Sequence, residues 1–405
     1  MLQNESHAPA MLRGTPFHER TAPLCQGQNW RRWAGYLSAS SYELVHDREY
    51  FAIRGAAALI DVSPLYKYLI RGSDAERFLN RVLTRDVARC DVHQVMYGPW
   101  CDEDGKVIDD GTLQRLGEDS FRLTAAEPNL RWLCDNAAGL RVTIEDDTDA
   151  TAALALQGPT SRELLRSLCD ADLDSLKYFH LALARIADIP VTISRTGYTG
   201  DLGYEIWVAA QQAISLWDAL LKGGEAYGIT PAGILALDMA RVEAGLLLID
   251  VDYVPANRAL IESRKSSPFE LGLGWAVKLE KDHFIGRRAL LDEWRRGPAW
   301  QFRGLEIDWH SLQRVYSEFG LPPELPQMTW RTSVPVYSGN KQVGYATSGC
   351  WSPTLKKYIA LAHLRSSNAE RGAHVEMEVT AEHQRKKAAA RVVELPFFNP
   401  ERKRS

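Results

Sequence analysis

Hydrophobic and polar positions alternate along this chain with two different periods, and the chain divides where one gives way to the other. From about residue 29 to residue 300, stretches with apolar residues three and four apart are mixed with short alternating runs. The segment Tyr42 to Ala58, with Tyr50, Ile53 and Ala57 at helical spacing, predicts a helix, after the bulky Trp30-Arg-Arg-Trp33 and Tyr36. Ala58 to Gly72 predicts two short strands broken at Pro64, followed by a helix from Asp74 to Val82 capped by Ser73. Val95 to Leu123 predicts three strands separated by turns. Helices are expected at Trp132 to Ala138, after Gly158-Pro-Thr-Ser-Arg, at Gln211 to Glu225 and at Gly233 to Gly245.

Past Arg303 the helical period fades. Strand signals punctuated by Pro and Gly take over at Ser333 to Tyr337, Lys341 to Tyr345, Ile359 to Ala362 and Val375 to Val379. The polar, proline-bearing Gln313 to Met328 reads as a surface insertion. The expected class is therefore α+β, with an irregular arm over 1–28, a mixed body over 29–300 and a small all-β domain over 301–405. A length of 405 residues is enough for two or three cores.

Composition changes this picture little. With 45% hydrophobic and 25% charged residues the chain is of the globular kind. A net charge of −4 gives no reason to expect nucleic acid or an anionic membrane as partner. The six cysteines lack any Cys-x-x-Cys pair or metal-ligand spacing, so reduced thiols and no metal are expected. No window approaches the roughly 18 apolar residues of a membrane span, and the amino terminus lacks a signal-peptide pattern, so the expected location is the cytoplasm.

Two stretches carry chemistry. Gly105-Lys-Val-Ile-Asp-Asp-Gly-Thr112 places Asp109 and Asp110 together in a strand, where neighbours point to opposite faces and one carboxylate is turned inward. The simple alternative is a solvated Asp-Gly hairpin. The loop Gly197-Tyr-Thr-Gly-Asp-Leu-Gly-Tyr204 has three glycines, yet it lacks a P-loop lysine and leads into a strand rather than a helix, which disfavours a nucleotide. Glycines there would let a flat ring lie close to the backbone, with Tyr198 stacking and Glu205 accepting paired N–H donors. The alternative is a glycine-rich hairpin whose Glu205 faces water.

Seven motifs in order resemble one family. They are Val107-Ile-Asp-Asp110, Leu156-Gln-Gly-Pro159, Thr196-Gly-Tyr-Thr-Gly200 with Gly203-Tyr-Glu-Ile206, Arg241-Val-Glu-Ala-Gly245, Leu273 to Leu279, Phe284-Ile-Gly-Arg287 and Thr347 to Leu355. Together, over about residues 40 to 398, they resemble the tetrahydrofolate-binding aminomethyltransferases, which include the glycine-cleavage T-protein, folate-dependent demethylases and the folate domains of dimethylglycine and sarcosine dehydrogenases. The resemblance implies a three-part, cloverleaf-like fold around a folate channel, with a C-terminal β-barrel-like domain and tetrahydrofolate as cofactor. It places Asp109 beside the reacting folate nitrogens, Glu205 on the amino-pyrimidine edge, and Tyr198 and Arg241 near the ring. It makes Lys278 and Arg287 candidates for the glutamate tail.

The departures bear on the substrate. Leu237 stands where the T-protein has an arginine, Pro64 where it has a histidine, and Thr124-Ala-Ala-Glu-Pro128 where it has an asparagine-bearing turn. These fall where that enzyme receives its aminomethyl-lipoyl arm, and they are closer to the demethylating branches. The expected reaction is methyl transfer from a small methylated molecule, an aromatic ether first, with Tyr66 or Tyr253 as proton donor to the leaving group. Two alternatives stay open: aminomethyl-type transfer from a methylamine or glycine-derived carrier giving 5,10-methylenetetrahydrofolate, and folate binding without catalysis. Oligomeric state is not legible.

Overall fold

The computed structural model describes residues 12–405, so the start of the arm lies outside the described residues. Among the described residues a small three-stranded sheet, two larger sheets and a barrel carry the chain. The larger sheet has six strands in the order Leu181–Ile186, Ile189–Ser194, Gly203–Ala209, Thr151–Gln157, Ala57–Asp61 and Ile229–Pro231. Every residue of Thr151–Gln157 is buried, because both faces of this central strand are covered. Ala152, Leu154 and Leu156 meet the helices Ser161–Leu168 and Ala213–Gly224, through Leu164, Leu165, Leu216 and Trp217. Ala153 and Ala155 face the helices Asp47–Gly55 and Ile234–Glu243 instead, through Tyr50, Ile53, Ala236 and Val242. The two-residue alternation of the strand thus feeds two cores.

A second sheet holds five antiparallel strands in the order Val95–Cys101, Val107–Gly117, Ser120–Ala125, Tyr66–Arg71 and Thr143–Asp146. Phe78, Leu79 and Val82 of the helix Ala75–Val82 and Leu133 of the helix Leu130–Asn136 fill its inner side. The barrel closes in the order Trp300–Ile307, Lys357–Arg365, Lys341–Ser352, Val334–Ser338, His374–Ala381 and Gln384–Val393. The α+β class with a C-terminal barrel is as the sequence predicts.

Four local expectations change. The helix expected from Tyr42 occupies only Asp47–Gly55, and the apolar run after it becomes the strand Ala57–Asp61. Ser73 is not a cap: the helix begins after Asp74, whose carboxylate instead accepts the backbone N–H of Arg141 at 2.9 Å. The described part of the arm is built rather than irregular. Arg13–Gly14 pairs in parallel with Tyr36 and Leu37, and Phe17 is fully buried with its ring 5.9 Å from that of Trp217. The expected insertion contains the end of the helix Trp309–Ser317, whose Leu312, Val315 and Tyr316 close one side of the barrel core. Asp308 caps it, accepting from the Ser311 N–H at 2.7 Å.

Candidate active site

The strand Val107–Gly117 runs unbroken through the acidic pair, so the hairpin alternative is excluded. Its close approach to the neighbouring strand depends on Gly111, where a Cβ would lie 1.9 Å from the carbonyl oxygen of Thr124. Beside that glycine the two carboxylates turn to opposite faces, as strand geometry requires, but neither is left to solvent.

Asp109 is completely buried. It accepts the backbone N–H of Asp110 at 2.8 Å, that of Glu127 at 3.0 Å and the Asn129 side-chain N–H at 2.8 Å. Burial, and then the neighbouring Asp110, push its pKa well above the usual range, while the three N–H donors oppose the rise. All three donors come from the adjacent residue or from the turn after Ala125. The Thr124-Ala-Ala-Glu-Pro turn therefore seats Asp109, and Asn129 is a positioning residue that sequence reasoning missed.

Asp110 faces the other way and is held by two phenols. Tyr97 donates to Oδ2 at 2.7 Å, and Tyr253 donates to Oδ1 in a short hydrogen bond. Tyr97 pairs with Thr112 and Pro99 with Asp110, so Tyr97 reaches the acid diagonally across the sheet. Burial raises the Asp110 pKa, and the two hydroxyl donors offset part of that rise. Both tyrosines are pushed up in turn, first by burial and then by the negative charge of Asp110. The arrangement is an acid with two O–H donors and no cation paired to it among the described residues. Tyr97 was not singled out in the sequence; its place in an alternating strand opposite the acids is the signal that marks it.

The remaining expected residues divide between this cluster and other places. Tyr253 is part of it. Tyr198 lies close, with Asp110 and Arg241 among the charges acting on it, and its hydroxyl donates to the Leu247 carbonyl in a short bond. Tyr66 is half-buried opposite Ala125, and the charged groups acting on it are Glu127, Asp146, Arg32 and Arg13. No hydrogen bond ties it to either acid of the pair. Arg241 is 1% exposed and joins two acids, donating to Asp238 at 2.8 Å and to Asp252 at 2.5 Å. Asp252 also takes the hydroxyls of Thr347 and Ser348 from the barrel. Arg287 is clipped to the Leu279 carbonyl at 2.7 Å and 3.1 Å.

Glu205 stands on the six-stranded sheet, opposite Ala155 and Ser194, and the acidic pair stands on the five-stranded one. The glycine-rich loop connects them, since Thr196 at its start donates to Glu205 at 2.6 Å and Tyr198 reaches the Asp110 cluster. Burial raises the Glu205 pKa, and the Thr196 and Ser194 hydroxyls partly offset it. The loop glycines have a different reason from the one expected. A Cβ at Gly197 or Gly203 would strike the Gln157 side chain at 2.0 Å or 2.3 Å. Gln157 plugs the loop, donating to the Thr196 and Tyr204 carbonyls and accepting from the Thr199 hydroxyl. Gly197 and Gly203 make room for a carboxamide of the protein itself.

Fold and motifs together define a folate-family one-carbon transferase architecture. Residues 17–281 match the GCVT N-terminal domain and residues 319–399 the glycine cleavage T-protein C-terminal barrel domain. The chain belongs to the glycine-cleavage T-protein family. It is 34% identical to an aminomethyltransferase of Bacillus pumilus, covering 96% of this chain and 99% of that protein. It is also 35% identical over 98% of its length to the trimethylamine-oxide aldolase of Ruegeria pomeroyi, of which it spans 48%. The crystal structure of the glycine cleavage system aminomethyltransferase T from Bartonella henselae superposes with a TM-score of 0.80 at 26% identity, over 96% of this chain and 98% of that one. Among the described residues no helix is long and apolar enough to cross a membrane.

Proposed function

We propose that this chain transfers a one-carbon unit from a small methylated molecule to tetrahydrofolate, as a methyl group. The observation that supports the reading is Asp110, half-buried between two phenolic donors and paired with no cation among the described residues. Displacement at a methyl carbon needs alignment and a route for one proton, from the accepting N–H to the leaving oxygen, nitrogen or sulfur. A carboxyl with a raised pKa, hydrogen-bonded to Tyr97 and Tyr253, suits that exchange. We assign the proton-handling role to Asp110, and to Asp109 the task of fixing the strand beneath it. Tyr253 fits the expected donor role through its bond to Asp110; Tyr66 has no such bond.

The residues fit a reduced pterin. Glu205 is a half-buried acceptor that takes the Thr196 hydroxyl on Oε2 and pairs with no cation among the described residues, which leaves it short of the N–H partners that an amino-pyrimidine edge offers. When bound, tetrahydrofolate would supply the nucleophilic nitrogen; the protein's share is to hold the ring and pass the proton. Glu205→Gln is expected to weaken tetrahydrofolate binding by about 1.5–3 kcal/mol, read by calorimetry. Unchanged affinity removes Glu205 from the pterin site.

The lost arginine at Leu237, with Pro64 and the Ala125 turn, favours a free small donor over a carrier arm. A second reading draws on the relative named trimethylamine-oxide aldolase: a methylated amine N-oxide as the source, whose N–O bond is reduced as the methyl carbon leaves at the formaldehyde level. Incubation with tetrahydrofolate and a panel of methoxybenzoates, methylated amines, their N-oxides and methyl sulfides separates the two. 5-Methyltetrahydrofolate supports the first and 5,10-methylenetetrahydrofolate the second. Neither product with any donor defeats both.

A further inference from the structure

Three guanidinium groups gather around two carboxylates close to the Asp110 cluster. Asp238 accepts from Arg241 Nε at 2.8 Å on one oxygen and from Arg331 Nε at 2.7 Å on the other. Asp252 is saturated, taking Arg241 Nη1, the Leu248 N–H and the hydroxyls of Thr347 and Ser348. Arg31, half-buried on the strand Trp30–Trp33, lies within the fields of Arg331 and Asp238 and has no ion pair among the described residues. The third positive charge therefore has no matching negative one.

A second observation points the same way. Arg241 Nη2 is buried without any hydrogen-bond partner, although a buried guanidinium N–H left unpaired is costly. The cluster is also within reach of solvent, since the Arg331 side chain is 32% exposed. Arg241 Nη1 also donates to the Leu246 carbonyl, next along the chain from the Leu247 carbonyl that takes the Tyr198 hydroxyl.

We propose that Arg31, Arg331 and Nη2 of Arg241 form a pocket for a carboxylate, and that this carboxylate belongs to the one-carbon donor, which is thus a small methylated acid. The proposal rests on the methyl-transfer reading for the word donor, but the pocket itself stands on the charge imbalance and the orphaned N–H. A planar fork is well suited to a carboxylate, and burial strengthens the bond.

The test uses matched donors with and without the charge: 3-methoxybenzoate against 3-methoxybenzamide, N,N-dimethylglycine against its amide, and 3-(methylthio)propionate against its amide. Wild type, Arg31→Gln and Arg331→Gln are compared by calorimetry and by turnover, with mono- and polyglutamyl tetrahydrofolate titrated in parallel. At least one acid is expected to bind wild type more tightly than its amide. Each variant should raise the dissociation constant and KM of that acid by about tenfold or more, leaving the amide and both folates unchanged. Equal weakening of acid and amide, or no acid preference in wild type, overturns the pocket. A loss confined to polyglutamyl folate overturns the donor assignment and gives the carboxylate to the folate. If no donor is turned over yet an acid binds and both variants weaken it, the methyl-transfer reading fails and the pocket survives.

Discussion

Asp109 and Asp110 differ by one position and by almost everything that decides chemistry. Asp109 receives three N–H donors, one from its neighbour and two from the turn after Ala125, which hold it still; Asp110 receives two hydroxyls that are themselves able to exchange protons. Asp110→Asn is therefore expected to lower kcat by about 10²–10⁴-fold, the usual range for a lost general acid or base. Asp109→Asn is expected to lower the thermal midpoint more than kcat. A larger kcat loss at Asp109, in a protein that still folds, would return the central role to it. The raised pKa of Asp110 also has a thermodynamic signature. Its ordinary value is 3.8, and the folded chain keeps a proton above that pH which the unfolded chain has released. Folding then takes up protons, so stability falls as pH rises through this window. Asp110→Asn should flatten the decline of melting temperature as pH rises above that ordinary value, while an identical slope would mean that Asp110 is already ionised in the fold.

At the scale of elements, the site depends on close strand contact and on one plugged loop. Gly111→Ala places a methyl group against the Thr124 carbonyl, so the strands must part or shift register. The expected cost is about 1–3 kcal/mol, as for overpacking elsewhere, with loss of turnover from misplaced acids. Denaturant unfolding measures it, and full stability in that variant would contradict the pairing. Strand order here was partly legible: the three strands of 95–123 and the break at Pro64 follow from alternation and turn residues. The Trp30–Trp33 strand was not, because four bulky residues read the same in either period. Nor was the Trp309–Ser317 helix, whose apolar positions are hidden by the polar, proline-bearing sequence that follows.

Across the whole molecule, Glu243 joins the body to the barrel. Its carboxylate takes Arg54 at 2.6 Å and 2.8 Å, Tyr50 at 2.5 Å and the barrel's Ser352 at 2.5 Å, all buried. The segment after the barrel returns to the same place. The Phe398 N–H donates to the Glu243 carbonyl, its ring lies 4.3 Å from the Arg54 guanidinium, and Arg402 forks onto Asp201 at 2.7 Å and 2.9 Å. Glu243→Ala leaves Arg54 buried with the longer 3.4 Å contact to Asp201 as its remaining ion pair, beside the Thr199 and Ala240 carbonyls. A loss of about 3–5 kcal/mol is expected, with body and barrel melting together rather than separately. Two resolved calorimetric transitions in wild type would show that this network does not couple them.

What the sequence determined by itself is the local grammar: the two periods that separate a mixed body from an all-β end, the motif order that carries the family, and the carboxylates worth watching. These depend on spacing along one chain, which a sequence records directly. Only the tertiary structure decided which acid meets the phenols, why the loop glycines exist, and where three arginines outnumber their partners. Each of those turns on residues distant along the chain, such as Tyr253 with Asp110, 143 positions apart, and Arg331 with Asp238, 93 apart, brought together by sheets whose registers no single segment encodes.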